Sequence, residues 1–469
     1  MNTKRKSSLP SPGAISRRFL LAALLLLSAA CVGPAPVAAP TPQVFDSPAE
    51  QTSTFTTLTL LSKDDPSHAH WVDFFGGSVD IDGDVLVSGA PRWGRPPGEG
   101  AGAAHVYRRS SEGEWRAEAT LIASDRDDGF QYDQHFGESI ALNGTVIAVG
   151  APGYDDPQAG DNTGAVYIFE FDGLAWVETG KLTPSRRTPG AKIGRALAFD
   201  GELLAASGSP EAGSVFIFKR EAGGWREMSP VPVPASPDGK LPYVLLDLYG
   251  DTLALSTVTV QPAPDQRNEK AVIQSLRRTG IVTLYERAGD QWKQTFQTDP
   301  QEASLYVMYS EDAPFGIPVS LGGEAGAEKA SWLVVGKPGF TGSGRETGSV
   351  AIYERAERGW KPQAELMLAP GEQVPGALTM FFPDAGAAFF GASVEFEGNR
   401  LAVVSTFANT VYVFERQGPD WIYQFRITPG ADYGDDFQRR TVAMSGNVLL
   451  LGSPGELGGG YAFVFNLPY

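Results

Sequence analysis

The chain has 469 residues, with 38 basic against 55 acidic side chains, a formal net charge of −17, 55 Gly, 35 Pro and one Cys. That acidity excludes capture of nucleic acid or an anionic membrane face by bulk charge. The lone cysteine excludes an intramolecular disulfide, so a folded body must be held by its core. Abundant Gly and Pro among Val, Leu and aromatics predicts many short strands joined by turns.

Residues 1–30 read as a signal peptide. Lys4, Arg5, Lys6, Arg17 and Arg18 precede an apolar run, Phe19 to Ala30, that is short for a bilayer span. Leu27-Ser28-Ala29-Ala30-Cys31 resembles a bacterial lipobox, which makes Cys31 the expected lipidation site and the mature N-terminus. The alternative is ordinary cleavage nearby with Cys31 incidental. Ser16-Arg17-Arg18-Phe19-Leu20 also resembles a twin-arginine signal, without the residue that usually separates the pair from Phe, so both export routes stay open. Removing the five basic residues of this leader leaves 33 basic against 55 acidic groups. Residues 31–54 are rich in Pro, Ala and Thr without periodicity, and are expected to be a tether that carries no chemistry.

From residue 55 to residue 469 a single grammar repeats. Phe136 opens FGESIALNGTVIAVGAP, in which Asn143-Gly144 tolerates the positive φ of a two-residue type I′ turn and Pro152 stops the return strand. Related copies begin at Phe75, Ile193, Phe315, Phe390 and Phe437, and a copy without the FG pair begins at Leu241, seven in all. A third strand follows each copy. After six of them come a turn, a tryptophan (Trp115, Trp176, Trp225, Trp292, Trp360, Trp421) and a fourth strand. Repeats of about sixty residues built this way predict an all-β, seven-bladed propeller of four-stranded antiparallel blades. The seventh copy reaches Tyr469 after its third strand, and Phe55 to Ser62 aligns with the fourth strands. An N-terminal strand is therefore expected to close the last blade and remove an open edge.

The FG and GAP residues, over Phe55 to Tyr469, resemble the FG-GAP repeats of integrin α-subunit propellers, and more closely their shorter bacterial version. The resemblance implies a seven-bladed propeller used for extracellular recognition. It also implies calcium in the turn between the first two strands of a blade, where this sequence departs from the pattern. Asn143-Gly144, Asp200-Gly201, Glu397-Gly398 and Ser445-Gly446 are too short to wrap an ion. Asp80 to Asp84 keeps alternating carboxylates, and Tyr154 to Asn162 is a second acidic loop. Both read as solvated turn residues, so no calcium motif is complete and no cofactor is expected.

His68, His70, His105 and His135 read as exposed loop histidines without a third zinc ligand. No P-loop, nucleophile elbow or helical HExxH occurs, so no metal or catalytic residue is assigned. The expected function is a non-catalytic, surface-anchored, extracytoplasmic module, monomeric and held in the cell envelope or at the cell surface by its lipid, that binds an extracellular protein or glycan. The alternatives are a propeller hydrolase or lyase acting on extracellular polysaccharide, and a structural or assembly lipoprotein of the envelope. The face carrying the second-to-third strand loops and the connections between blades has long loops with aromatics beside carboxylates, as in residues 306–312, Phe340 and residues 381–384. The ligand is expected there, on blades one and two, with Trp71, Asp73, Trp93, Asp128, Tyr132, Tyr154, Asp155 and Asp156 as candidate contacts.

Overall fold

A computed structural model describes residues 40, 42–45, 55–59, 73–94, 101–125, 134–234, 243–262, 274–299, 301–307, 317–338, 348–369, 390–405, 410–428, 441–454 and 460–468. All belong to one compact unit, Pro40–Tyr469. Seven sheets follow one another along the chain, each built on four antiparallel strands; six take them in sequential order from the axis outward, the seventh takes its outermost strand from the N-terminal side, and three carry a fifth strand. The innermost strands are Val79–Asp82, Ile140–Asn143, Ala196–Phe199, Tyr243–Tyr249, Val319–Gly322, Phe390–Glu397 and Thr441–Ser445. Each touches its two neighbours, and the seventh touches the first, so the sheets are the blades of a closed propeller. Helical structure among the described residues is a single 3-10 turn, Pro210–Ala212.

The sequence pattern decides which strand lies where. Second strands such as Val85–Ala90 and Val146–Ala151 are buried along their whole length, as strands covered on both faces must be. Fourth strands such as Trp176–Leu182 alternate, with the tryptophan turned inward. Buried apolar side chains fall into seven clusters, one at each junction between blades. Phe136, fully buried, sits in the cluster joining blades one and two, edge-on to Tyr167 and Phe169 at 5.4 and 6.0 Å. Phe75 and Phe390 hold the equivalent places at two other junctions.

The glycines of the repeat are explained by the same junctions. A Cβ on Gly89 would lie 2.1 Å from the carbonyl oxygen of Gly137 in the next blade, and one on Gly150 would lie 2.1 Å from that of Gly194. The backbones meet where no side chain fits. At the far end of the hairpin the reason is conformational. Gly83, Gly144, Gly250, Gly398 and Gly446 have φ between +52° and +61° and open each two-residue turn. Asn143 is still in the strand, paired with Val146, so the turn is Gly144-Thr145 with positive φ at its first residue only. That is the pattern of type II′ and not of the expected type I′.

The expected closure is present. Phe55–Thr59 pairs antiparallel with Tyr461–Asn466, from Phe55 opposite Phe465 to Thr59 opposite Tyr461. Three features depart from expectation. Gln43–Phe45, inside the expected tether, forms a fifth strand parallel to Leu366–Leu368 of blade five, and Phe45 packs edge-on to Phe414 at 5.0 Å. Blade four has an extended third strand, Gln274–Ala288, whose first half pairs with Gln301–Val307. Part of the stretch expected as a loop near Tyr306 is therefore a strand. His105 is a strand residue and only 5% exposed, where an exposed loop position was expected.

Two measurements check this architecture. Gly150→Ala should cost about 3 kcal/mol, because the methyl meets backbone that cannot yield, whereas Gly144→Ala, whose methyl meets open space, should cost only about 1–2 kcal/mol for its positive φ. Equal losses in urea melts would contradict the junction geometry. Deleting residues 55–59 should lower the melting temperature far more than Phe45→Ala, since the first opens a blade edge and the second trims a half-buried contact.

Candidate functional site

Inner strands of a propeller have one edge with no strand partner, so their outward N–H groups need other acceptors. In three blades the side chain three residues before the hairpin turn supplies one. Asp80 Oδ2 accepts from Leu142 N in the next blade at 2.7 Å, Asp247 Oδ2 from Leu321 N at 2.6 Å, and Ser320 Oγ from Phe396 N at 3.0 Å. Directly before the turn, Asp82 accepts from Gly144 N at 2.6 Å and Glu397 from Gly446 N at 2.8 Å. Ser445 accepts from Gly83 N at 3.0 Å across the ring closure. Asp80 and Asp82, expected as solvated turn residues, are thus clasps between blades.

Asp80, Asp247 and Glu395 face the axis from blades one, four and six; Asp247 acts on the protonation of Asp80, and both act on that of Glu395. The axial channel leaves them partly accessible, yet the protein around them still penalises charge. Burial pushes Asp80 up to about 7, against the two N–H groups it accepts and with help from Asp82 and Asp247. Burial likewise lifts Asp247 to about 6 and holds Glu395 well above the carboxylate range, where the Asp247 and Asp80 carboxylates add to the effect. No group of acidic, histidine or cysteine side chains suited to a metal ion occurs among the described residues.

The other end of the inner strands is built differently. The residue before FG, or before Ile193-Gly194 in blade three, adopts left-handed backbone in three consecutive blades: Phe74 at φ +55°, His135 at +53° and Lys192 at +50°. Asn162, at +53°, is the fourth such non-glycine residue described. Gly77 N and Glu138 N close turns back to the carbonyls of Phe74 and His135 at 2.9 and 3.0 Å, with Gly76 and Gly137 taking the positive φ inside. Pro91 and Pro152 take the second place of the turns that end in Trp93 N→Ala90 O and Tyr154 N→Ala151 O. The two turns of a blade are tied together by Arg92 N→Asp73 O at 3.3 Å in blade one and Gly153 N→Gln134 O at 3.0 Å in blade two.

Together these turns wall a cleft of about 180 Å³ on the loop-bearing face, across blades one to three. All four left-handed residues line it, with Arg92, Glu138 and Arg195 among the remainder. Arg92 stacks over the Phe74 ring at 4.6 Å, and His135 Nδ1 lies 3.3 Å from Glu138 Oε2. Glu211 lies within electrostatic reach of Lys192 and Arg195.

The expected contact residues are placed otherwise. Tyr154 is buried under its own loop, edge-on to Tyr167 at 6.4 Å, with Lys181 Nζ 2.8 Å from its hydroxyl. Asp156 is buried, accepting from Gln158 N and Ala159 N and pairing with Arg187 at 2.5 Å. Those bonds hold its carboxyl below the usual range despite burial. Asp155 accepts from Asn162 N at 2.6 Å. Asp73 is buried, and Trp93 packs edge-on to His105 at 5.8 Å, whose own burial lowers it to about 4. These side chains shape the loops around the cleft and do not line it. Cys31, Trp71, Asp128, Tyr132, His68, His70, Phe340 and residues 381–384 lie outside the described residues. Arg92, His135, Lys192 and Arg195 were not singled out as contacts. The signal available was their place beside FG and GAP in consecutive copies.

The axial carboxylates predict a pH dependence. Their folded pKa values lie above those of the unfolded chain, so the unfolded state gives up protons that the fold retains. The stability they confer is complete below about pH 4 and is lost as pH rises toward 7. Melting temperature should therefore rise as pH falls from 8 to 5. Glu395→Gln should raise it at pH 8 and flatten the slope, and an unchanged slope would contradict the buried position of Glu395.

An FG-GAP repeat family model matches residues 66–107 and 115–169, which reach through the third strands of blades one and two. No curated protein matches the chain significantly. Among solved structures, one in a crystal structure of a mitotic checkpoint complex is 12% identical, with 92% of this chain and 100% of that one covered at a TM-score of 0.48. A putative 6-phosphogluconolactonase from Bacteroides uniformis is 13% identical, with 75% and 85% covered at 0.44. The WD40 domain of Toxoplasma gondii coronin is 10% identical, with 91% and 90% covered at 0.45. Likeness at this level says nothing of ligand or activity.

Proposed function

We propose that this chain is a non-catalytic binding module that recognises an extracellular protein or glycan through the loop-bearing face of its propeller, anchored at the cell surface through a lipid on Cys31. The observation that carries the recognition part is the cleft across blades one to three. Its walls are turns from three consecutive blades, each fixed by backbone hydrogen bonds to the scaffold, with polar and charged side chains turned into it. Function on a propeller is carried by such loops, because the blades are bound to a common geometry and the loops are not.

The full chain carrying Cys31→Ser, applied to glycan and protein arrays, tests recognition. Binding should be lost in a variant that also carries Arg92→Ala and Lys192→Ala. It should survive Leu174→Ser on the opposite, hairpin-turn face, where Leu174 is 93% exposed. Loss only in the Leu174 variant would put recognition on the other face. For anchoring, Cys31→Ser should abolish lipid labelling and free the chain from the membrane fraction, and a variant that stays membrane-bound at high salt would overturn it.

A further inference from the structure

We infer that the cleft of blades one to three takes the acid group, carboxylate or sulfate, of a sugar residue in an acidic polysaccharide; this rests on the reading of that face as the recognition surface. The first support is the local sign of charge. In a chain of net charge −17, Arg92, Lys192 and Arg195 converge on one small cleft that contains a single carboxylate, Glu138, itself beside His135. Arg92 and Lys192 form no ion pair among the described residues. Glu211 offsets part of the charge on Lys192 and Arg195. A cationic patch on an acidic protein attracts an anion to that spot and repels it elsewhere.

The second support is the backbone. Holding a residue other than glycine in the left-handed region strains the backbone. All four described residues that bear this strain line the cleft, and in three consecutive blades the residue is the one before FG or, in blade three, before Ile193-Gly194. Strain gathered in one place and nowhere else described fits a site whose side chains must point in one direction.

Size and donors choose the ligand. About 180 Å³ is below the roughly 300–1,000 Å³ of sites for drug-sized molecules and suits one small unit of a longer chain. A peptide adding to this wall would need free main-chain donors. Here Arg92 N, Gly153 N and Lys192 N are already given to Asp73 O, Gln134 O and Asn162 O. What remains is side-chain chemistry: the Arg92 guanidinium and the Lys192 ammonium for an acid group, and the Asn162 amide for hydroxyls.

Calorimetric titration of the full chain carrying Cys31→Ser tests this with four probes: oligogalacturonate, a heparin oligosaccharide, a neutral glucan oligosaccharide of equal length and poly-glutamate. An acidic oligosaccharide should bind, weaken as salt rises, and weaken at least tenfold in Lys192→Ala and again in Arg92→Ala. Galacturonate or heparin as the better probe separates carboxylate from sulfate. Neutral glucan binding equally well would overturn the acid-group assignment while leaving recognition by this face intact. Binding of poly-glutamate alone would replace the glycan with an acidic peptide. No binding to any probe would overturn this inference, whereas the array result decides the broader reading independently. Circular dichroism and melting of each variant distinguish lost contacts from lost fold.

Discussion

Four of the seven blade junctions turn on a close approach of main chains, with a serine hydroxyl donating to the same carbonyl at two of them. The carbonyl of the FG glycine in one blade rests against the Cα of the GAP glycine in the blade before it, and a single methyl there would overlap backbone by more than an ångström. Because the contact is between main chains, it fixes blade spacing more tightly than interdigitated side chains could. The fully buried phenylalanine beside it then has one place to go, the wedge between neighbouring sheets, and the seven apolar clusters follow. The carboxylate and hydroxyl clasps lock the opposite ends of the same inner strands.

The two ends of the inner strand therefore differ in kind. At the hairpin end, short turns are held by charged or hydroxyl side chains that reach one blade forward. At the other end, glycine and proline set the turns, and the residues between them are left to vary. Phe74, His135 and Lys192 occupy one structural position with three chemistries, apolar, titratable and cationic. That freedom is what lets a uniform scaffold carry a particular surface.

Much of this was legible in the sequence because it repeats. Seven copies, six tryptophans and a fourth-strand pattern at the opposite end of the repeats from the seventh copy point to the blade count and the closing strand. Features without a repeat were not legible. Gln43–Phe45 offers three residues in a Pro-rich stretch, and only the edge of blade five makes them a strand. Asp80 and Asp82 read as turn carboxylates because their acceptor role depends on Leu142 and Gly144, some sixty residues on, which only the ring brings near. Tyr154 and Asp156 read as exposed because a loop sequence does not show which way its backbone turns. The left-handed φ of the residue before FG is invisible for the same reason, and with it the cationic lining of the cleft.

The closing strand also sets an order of events. Phe55–Thr59 leaves the ribosome among the first parts of the body, and its partner Tyr461–Asn466 follows about 400 residues later. Until then blades one to six can form by local hairpins, each fast and each stacking on the last. The early strand meanwhile waits with both edges open. Its sequence, FTTLT, is uncharged and rich in β-branched threonine, so its open edges are a liability until the slot that takes them has formed. Closure is thus a slow, long-range step laid over many quick local ones, and its rate should be set by the search of one short segment for a single slot.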